Sequence, residues 1–98
     1  MKENELGFLV TLEGVIRDRL RNPDGDSYTA SLAASGNKRI AQKVGEEAVE
    51  LALASVAGDR AEILNEAADL VYHIMVLLNT QDVRLSEVVA TLEARHSA

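Results

Sequence analysis

Apolar residues recur along most of this chain at steps of three and four, the spacing that gathers side chains onto one face of an α-helix. Leu9, Leu12, Ile16 and Leu20 define a first helix over residues 5–20, and Asn22-Pro23-Asp24-Gly25-Asp26 ends it as a turn. The turn shares residue types with a calcium loop, but no glycine or terminal glutamate falls at the offsets which that ligand pattern needs. Ser27 is placed to cap a short helix carrying Tyr28, Leu32 and Ala33, which Gly36 stops. Asn37 caps the next helix, where Ile40, Val44, Ala48, Leu51 and Val56 form one stripe between Lys38 and Ala57. Gly58-Asp59 closes that helix and opens another.

Residues 60–79 depart from simple amphipathicity. Ile63, Leu64, Ala67, Ala68, Leu70, Val71, Ile74, Met75, Leu77 and Leu78 cover most of the helix circumference, which predicts burial on nearly all sides, in the core or at a subunit interface. The remaining strip reads Glu62, Glu66, Asp69, His73. Internal charges cost roughly 2.5–3.5 kcal/mol each at a bilayer centre, so this is a soluble interior helix with a polar seam and no membrane partner is expected. A last helix over residues 86–96 takes Ser86 as N-cap and turns Val88, Val89 and Leu92 inward.

Composition agrees with helices: three aromatics, one proline and many Ala, Leu, Glu and Arg favour helix over strand. The expected fold is an all-α bundle of about four to five helices, with residues 1–98 forming a single domain. At this size one core is modest, and an oligomer partner is expected to complete apolar burial. The formal charge of −6 argues against nucleic acid as a partner. Met1-Lys2-Glu3-Asn4-Glu5 is acidic and precedes no long uncharged apolar run, so a cytoplasmic location is expected. The absence of cysteine excludes disulfides and thiolate metal sites.

The candidate chemistry lies in two acidic patterns, Glu46-Glu47-Ala48-Val49-Glu50 and Glu66-Ala67-Ala68-Asp69. Glu47 and Glu50, and likewise Glu66 and Asp69, stand one helical turn apart on one face. At about 4 Å and an effective dielectric of about 20, two like charges repel by roughly 4 kcal/mol, so four converging carboxylates call for a cation. Hard oxygen ligands in that number favour Mg²⁺, with Mn²⁺ as a substitute. The first pattern alone reads as a solvated face with Lys43 as partner. The second interrupts an otherwise apolar helix, and buried carboxylates are costly unless they meet a cation or take up a proton. Neither Glu50 nor Glu66 has a histidine three residues on, which sets aside a di-iron site, and zinc would want more His or Cys. His73 fits a hydrogen-bonding or core role better than direct ligation. Lys38, Arg39 and Lys43 precede the acids on one helix, a composition suited to phosphate. Gly45 sits mid-helix at a cost of about 1 kcal/mol against alanine, as if something approached closely there.

With these residues in place, Glu46-Glu47-x-x-Glu50 followed by Glu66-x-x-Asp69 resembles the metal motif of the all-α, MazG-like nucleoside triphosphate pyrophosphohydrolases. Ser27-Tyr28-Thr29-x-x-Leu32, Gly36, Lys43-Val44-Gly45-Glu46-Glu47 and Asp69-Leu70-Val71-Tyr72-His73 are similar, more narrowly, to the phosphoribosyl-ATP pyrophosphohydrolase family of histidine biosynthesis. The resemblance spans residues 6–96. It implies hydrolysis of the α–β phosphoanhydride of phosphoribosyl-ATP, with Mg²⁺ and a homodimer of helical subunits. It implies further that Glu47, Glu50, Glu66 and Asp69 ligate Mg²⁺, and that Glu47 or Glu50 accepts the proton of the attacking water. Glu46 would join them as an outer group or additional ligand. Lys38, Arg39 and Lys43 would face the phosphates, with Tyr28, Thr29 and His73 in the substrate pocket. A housekeeping nucleotide hydrolase and a non-catalytic helical nucleotide-binding or interaction module are the alternatives.

Overall fold

The computed structural model describes residues 3–22, 25 and 27–97, with the side chains of residues 3 and 4 excepted. Pro23, Asp24 and Asp26 of the expected turn lie outside the described residues. Among the described residues six helical segments follow one another: α1 (Glu3–Leu6), α2 (Phe8–Leu20), α3 (Tyr28–Ser35), α4 (Asn37–Ala57), α5 (Arg60–Thr80) and α6 (Leu85–His96). The architecture is all-α, with no strand among the described residues.

Local chemistry sets most boundaries. The Ser27 hydroxyl accepts the Ala30 N–H at 3.0 Å and so starts α3. Gly58, at φ 77°, ends α4 in the left-handed conformation that glycine adopts without strain. Asp59 follows at once, its carboxylate accepting the Ala61 and Glu62 N–H groups at 3.0 and 3.4 Å. A two-residue link between helices that pack along their length makes α4 and α5 an antiparallel pair.

Three boundaries differ from the sequence expectation. The first helix is divided at Gly7, whose carbonyl is shared by the Val10 and Thr11 N–H groups. Asn37 does not cap α4 but is its first residue. Gly36, at φ 90°, turns the chain so that its own carbonyl accepts the Ile40 N–H at 3.3 Å. Ser86 likewise lies inside α6. The Arg84 N–H is taken by Glu87 at 2.7 Å and the Leu85 N–H by Glu13 of α2 at 2.6 Å, which starts the helix earlier. Glu13 is buried and also pairs with Arg17 at 3.5 Å, so one carboxylate fixes both α2 and the head of α6. Glu13→Ala should therefore cost about 1–3 kcal/mol by orphaning a buried N–H. Urea unfolding checks this, with Glu13→Gln expected to retain part of the loss because its carbonyl still accepts.

The core comprises Ile16, Leu32, Ile40, Met75 and Val76, with Leu9, Leu12, Leu20 and Tyr72 packed around it. It lies on one side of the α4–α5 pair. The other side is open in the single chain: Val56 and Ala48 are exposed rather than part of a buried stripe, and Leu64, Val71 and Ile74 of α5 are exposed as well. In α6, Val88 is half-buried while Val89 and Leu92 remain about half exposed. Beyond its own helix backbone and chain neighbours, no atom among the described residues lies within 4 Å of a Cβ built at Gly45. No helix among the described residues is long and apolar enough to cross a membrane.

Candidate metal centre

The antiparallel pairing of α4 and α5 carries the two acidic turns to one place. Glu47, Glu66 and Asp69 each bring a carboxylate oxygen to within 4.8 Å of the others. Glu47 is buried, Glu66 half-buried and Asp69 exposed. Glu50, one turn beyond Glu47 and exposed, is not one of the three that meet, although its carboxyl acts on Glu66. Hydrogen bonding with Glu50, burial and the charges of Glu50, Glu47 and Asp69 push the Glu66 carboxyl up to about 7.

Lysine decides the state of Glu47. Burial pushes its carboxyl upward, but the hydrogen bond and charge of Lys43, with smaller help from Glu50, bring it below its ordinary value. Lys43 Nζ lies 3.2 Å from Glu47 Oε1, and this contact lifts the ammonium above its ordinary value against the opposing effect of burial. Glu46 stands outside the cluster, paired with Arg39 at 3.7 Å and Lys43 at 4.0 Å on the flank of α4. Lys38 is exposed and makes no ion pair among the described residues, roughly 14 Å along the helix from Glu47.

The donor set fits a hard divalent cation. Glu47 Oε2 and Glu66 Oε2 are both buried without a hydrogen-bond partner among the described residues. Unpaired carboxylate oxygens in that setting are costly, and a cation between them would offset the cost. All available ligand atoms are oxygens, which Mg²⁺-like ions take and thiophilic ions do not favour.

Behind the carboxylates lies a second layer of polar contacts. His73 is 5% exposed, and its ring nitrogens are both engaged within the chain: Nδ1 with the Asp69 carbonyl at 2.7 Å and Nε2 with the Tyr28 hydroxyl at 2.7 Å. Thr29 is fully buried and hydrogen-bonds the Tyr72 hydroxyl. The Tyr28 and Tyr72 rings each meet His73 edge-on. Of these residues only Tyr28 is well exposed, at 52%. Glu13 is the polar anchor that sequence reasoning did not single out, and Tyr72 entered there only within the Asp69-to-His73 motif. Glu13 had a signal, since it falls on the Leu9, Ile16, Leu20 stripe just as Glu66 falls on an apolar helix.

The protein-family model of phosphoribosyl-ATP pyrophosphohydrolase matches residues 9–96. The chain belongs to the phosphoribosyl-ATP pyrophosphohydrolase family. Among curated proteins it is 51% identical over 89 residues to the histidine biosynthesis bifunctional protein HisIE of Haemophilus influenzae, a match covering 91% of this chain and 40% of that protein. It is 52% identical over 93 residues to the protein of the same name from Yersinia pestis, covering 95% of this chain and 46% of that protein. The corresponding protein of Vibrio cholerae is 48% identical over 95 residues, covering 97% of this chain and 45% of its own length. The chain thus spans less than half the length of these curated relatives. Both acidic turns lie inside the family match.

Proposed function

We propose that this chain, acting as one all-α domain, hydrolyses the α–β phosphoanhydride of phosphoribosyl-ATP to phosphoribosyl-AMP and pyrophosphate in histidine biosynthesis. The observation that carries this reading is the meeting of Glu47, Glu66 and Asp69, with two buried carboxylate oxygens unpaired, in a chain of this family. Glu47, Glu50, Glu66 and Asp69 would hold Mg²⁺, with Mn²⁺ as a substitute. Bound there, the ion neutralises phosphate charge and lowers the pKa of a water.

The chain's own groups supply the rest. Lys43, held cationic by Glu47, places positive charge beside the site for the phosphates. Arg39 reaches the same flank through Glu46, whereas Lys38 stands farther out. A water oxygen forms a bond to phosphorus, the anhydride P–O bond breaks, and the pyrophosphate oxygen leaves with the electron pair. Glu50 is the proposed proton acceptor, because it is exposed to solvent while one Glu47 oxygen is committed to Lys43. Glu46 serves as an outer group that fixes the Arg39 and Lys43 side chains.

A second copy of the chain is the proposed cover for the open side of the α4–α5 pair. Beside it, α2 and α5 line an apolar groove of about 370 Å³ with Phe8, Leu9, Leu12, Leu64, Val71 and Tyr72, and apolar ground of this kind on a small domain marks an interface. Light scattering should return the mass of a dimer, and a monomer at micromolar concentration would exclude this arrangement. For the reaction itself, pyrophosphate release is measured in Mg²⁺ with phosphoribosyl-ATP and with deoxynucleoside triphosphates in parallel. Preference for phosphoribosyl-ATP is the expected result. Preference for the triphosphates would move the chain to a housekeeping role, and binding without release would leave a nucleotide-binding module.

A further inference from the structure

We propose that Tyr28 accepts a hydrogen bond from a hydroxyl or amino group on the nucleoside part of the ligand, and that His73 is the positioning residue that fixes this polarity. The inference builds on the nucleotide-hydrolase reading above and specifies which part of the nucleotide meets Tyr28.

It follows from proton accounting. The Asp69 backbone carbonyl can only accept, so the 2.7 Å contact from His73 Nδ1 requires the proton on Nδ1. In the neutral ring Nε2 is then an acceptor. The Tyr28 hydroxyl, 2.7 Å from Nε2, must spend its one proton on His73. What remains on the phenol oxygen is lone-pair capacity, which an ionised phosphate cannot use and a hydroxyl or amino donor can.

The surroundings hold this arrangement in place. His73 is 5% exposed and flanked edge-on by Tyr28 and Tyr72, and Tyr72 is itself tied to Thr29. Tyr28, half exposed at the start of α3, is therefore the member of this layer that a ligand can reach. Its contact with His73 places it beside the site, since His73 hangs from the backbone of Asp69. Charge thus divides the two ends of a nucleotide: the ammonium and the carboxylate-held cation suit its phosphates, and the lone pairs of Tyr28 suit its nucleoside.

The test compares ADP with inorganic pyrophosphate, which carries the same diphosphate without a nucleoside, by calorimetric titration of the Mg²⁺-loaded protein at pH 8. Tyr28→Phe should weaken ADP about tenfold, the equivalent of one hydrogen bond to a ligand, and change pyrophosphate by less than twofold. Parallel weakening of both, or no weakening of ADP, would overturn the proposal. His73→Phe frees the Tyr28 proton for a phosphate oxygen, so the affinity ratio should shift toward pyrophosphate. A structural role alone would weaken both ligands together and remove His73 from the proposal. Circular dichroism of each variant confirms the helical content. Turnover of phosphoribosyl-ATP by the wild-type chain is followed alongside. If turnover is absent while the ADP and pyrophosphate pattern holds, the hydrolase reading fails and the polarity of Tyr28 stands.

Discussion

Glu47→Gln should lower pyrophosphate release from phosphoribosyl-ATP by roughly 10²–10⁴-fold while leaving the helices in place. The magnitude follows from what the substitution removes. Glu47 is the buried member of the carboxylate group, and its Oε2 has no hydrogen-bond partner among the described residues. An amide of nearly the same shape keeps the packing but gives up the negative charge that a divalent ion requires, and it points a donor at neighbouring carboxylates. Lys43 loses its 3.2 Å partner and keeps only Glu46 at 4.0 Å, so the positive charge offered to the phosphates also drifts outward. Without metal, the variant should be no less stable than the wild type, because one repulsive charge has left the cluster. Release of pyrophosphate within threefold of wild type, at saturating Mg²⁺, would remove Glu47 from the centre. Glu46→Gln provides the contrast: its carboxylate stands on the flank with Arg39, and a loss below about tenfold is expected.

The acidic cluster was legible in the sequence because both acidic turns are local signals, each a pair of carboxylates three residues apart on a helix with a strong apolar rhythm. The turn chemistry of Gly58-Asp59 then brings the two helices together as an antiparallel pair, and the local signals become one site. What could not be read locally is whatever depends on a partner far along the chain. Leu85 begins α6 because Glu13, 72 residues earlier, accepts its N–H. The two nitrogens of His73 are spoken for by Asp69 four residues away and by Tyr28 at a separation of 45. The near-continuous apolar surface of α5 was read as core or interface. One side of α5 packs on Ile16 and Ile40 through Met75 and Val76, and the other stays open at Leu64 and Val71 in a single chain. Periodicity reports how much of a helix must be covered and says nothing about which molecule covers it.

In the absence of divalent ions, the melting temperature should fall as pH is raised from about 5 to 8, and the Glu66 carboxyl is the cause. Its value in the folded chain is about 7, against 4.5 for an ordinary carboxyl, because the hydrogen bond to Glu50, burial and three neighbouring carboxylates all favour the protonated form. Between these two values the folded state holds a proton that the unfolded state has released. Stability from this group is fully present below about 4.5 and is lost as pH rises through 7. Glu66→Gln, which cannot release a proton, should flatten that part of the profile. Mg²⁺ should act with the opposite slope. It binds only the deprotonated carboxylates, so its stabilising effect grows as pH passes 7, and binding at pH 6 releases a proton to the buffer. Differential scanning fluorimetry across this range, with and without Mg²⁺, reads both slopes. A wild-type profile that stays flat without metal, or a decline that survives in Glu66→Gln, would show that a proton on Glu66 is not what the cation replaces.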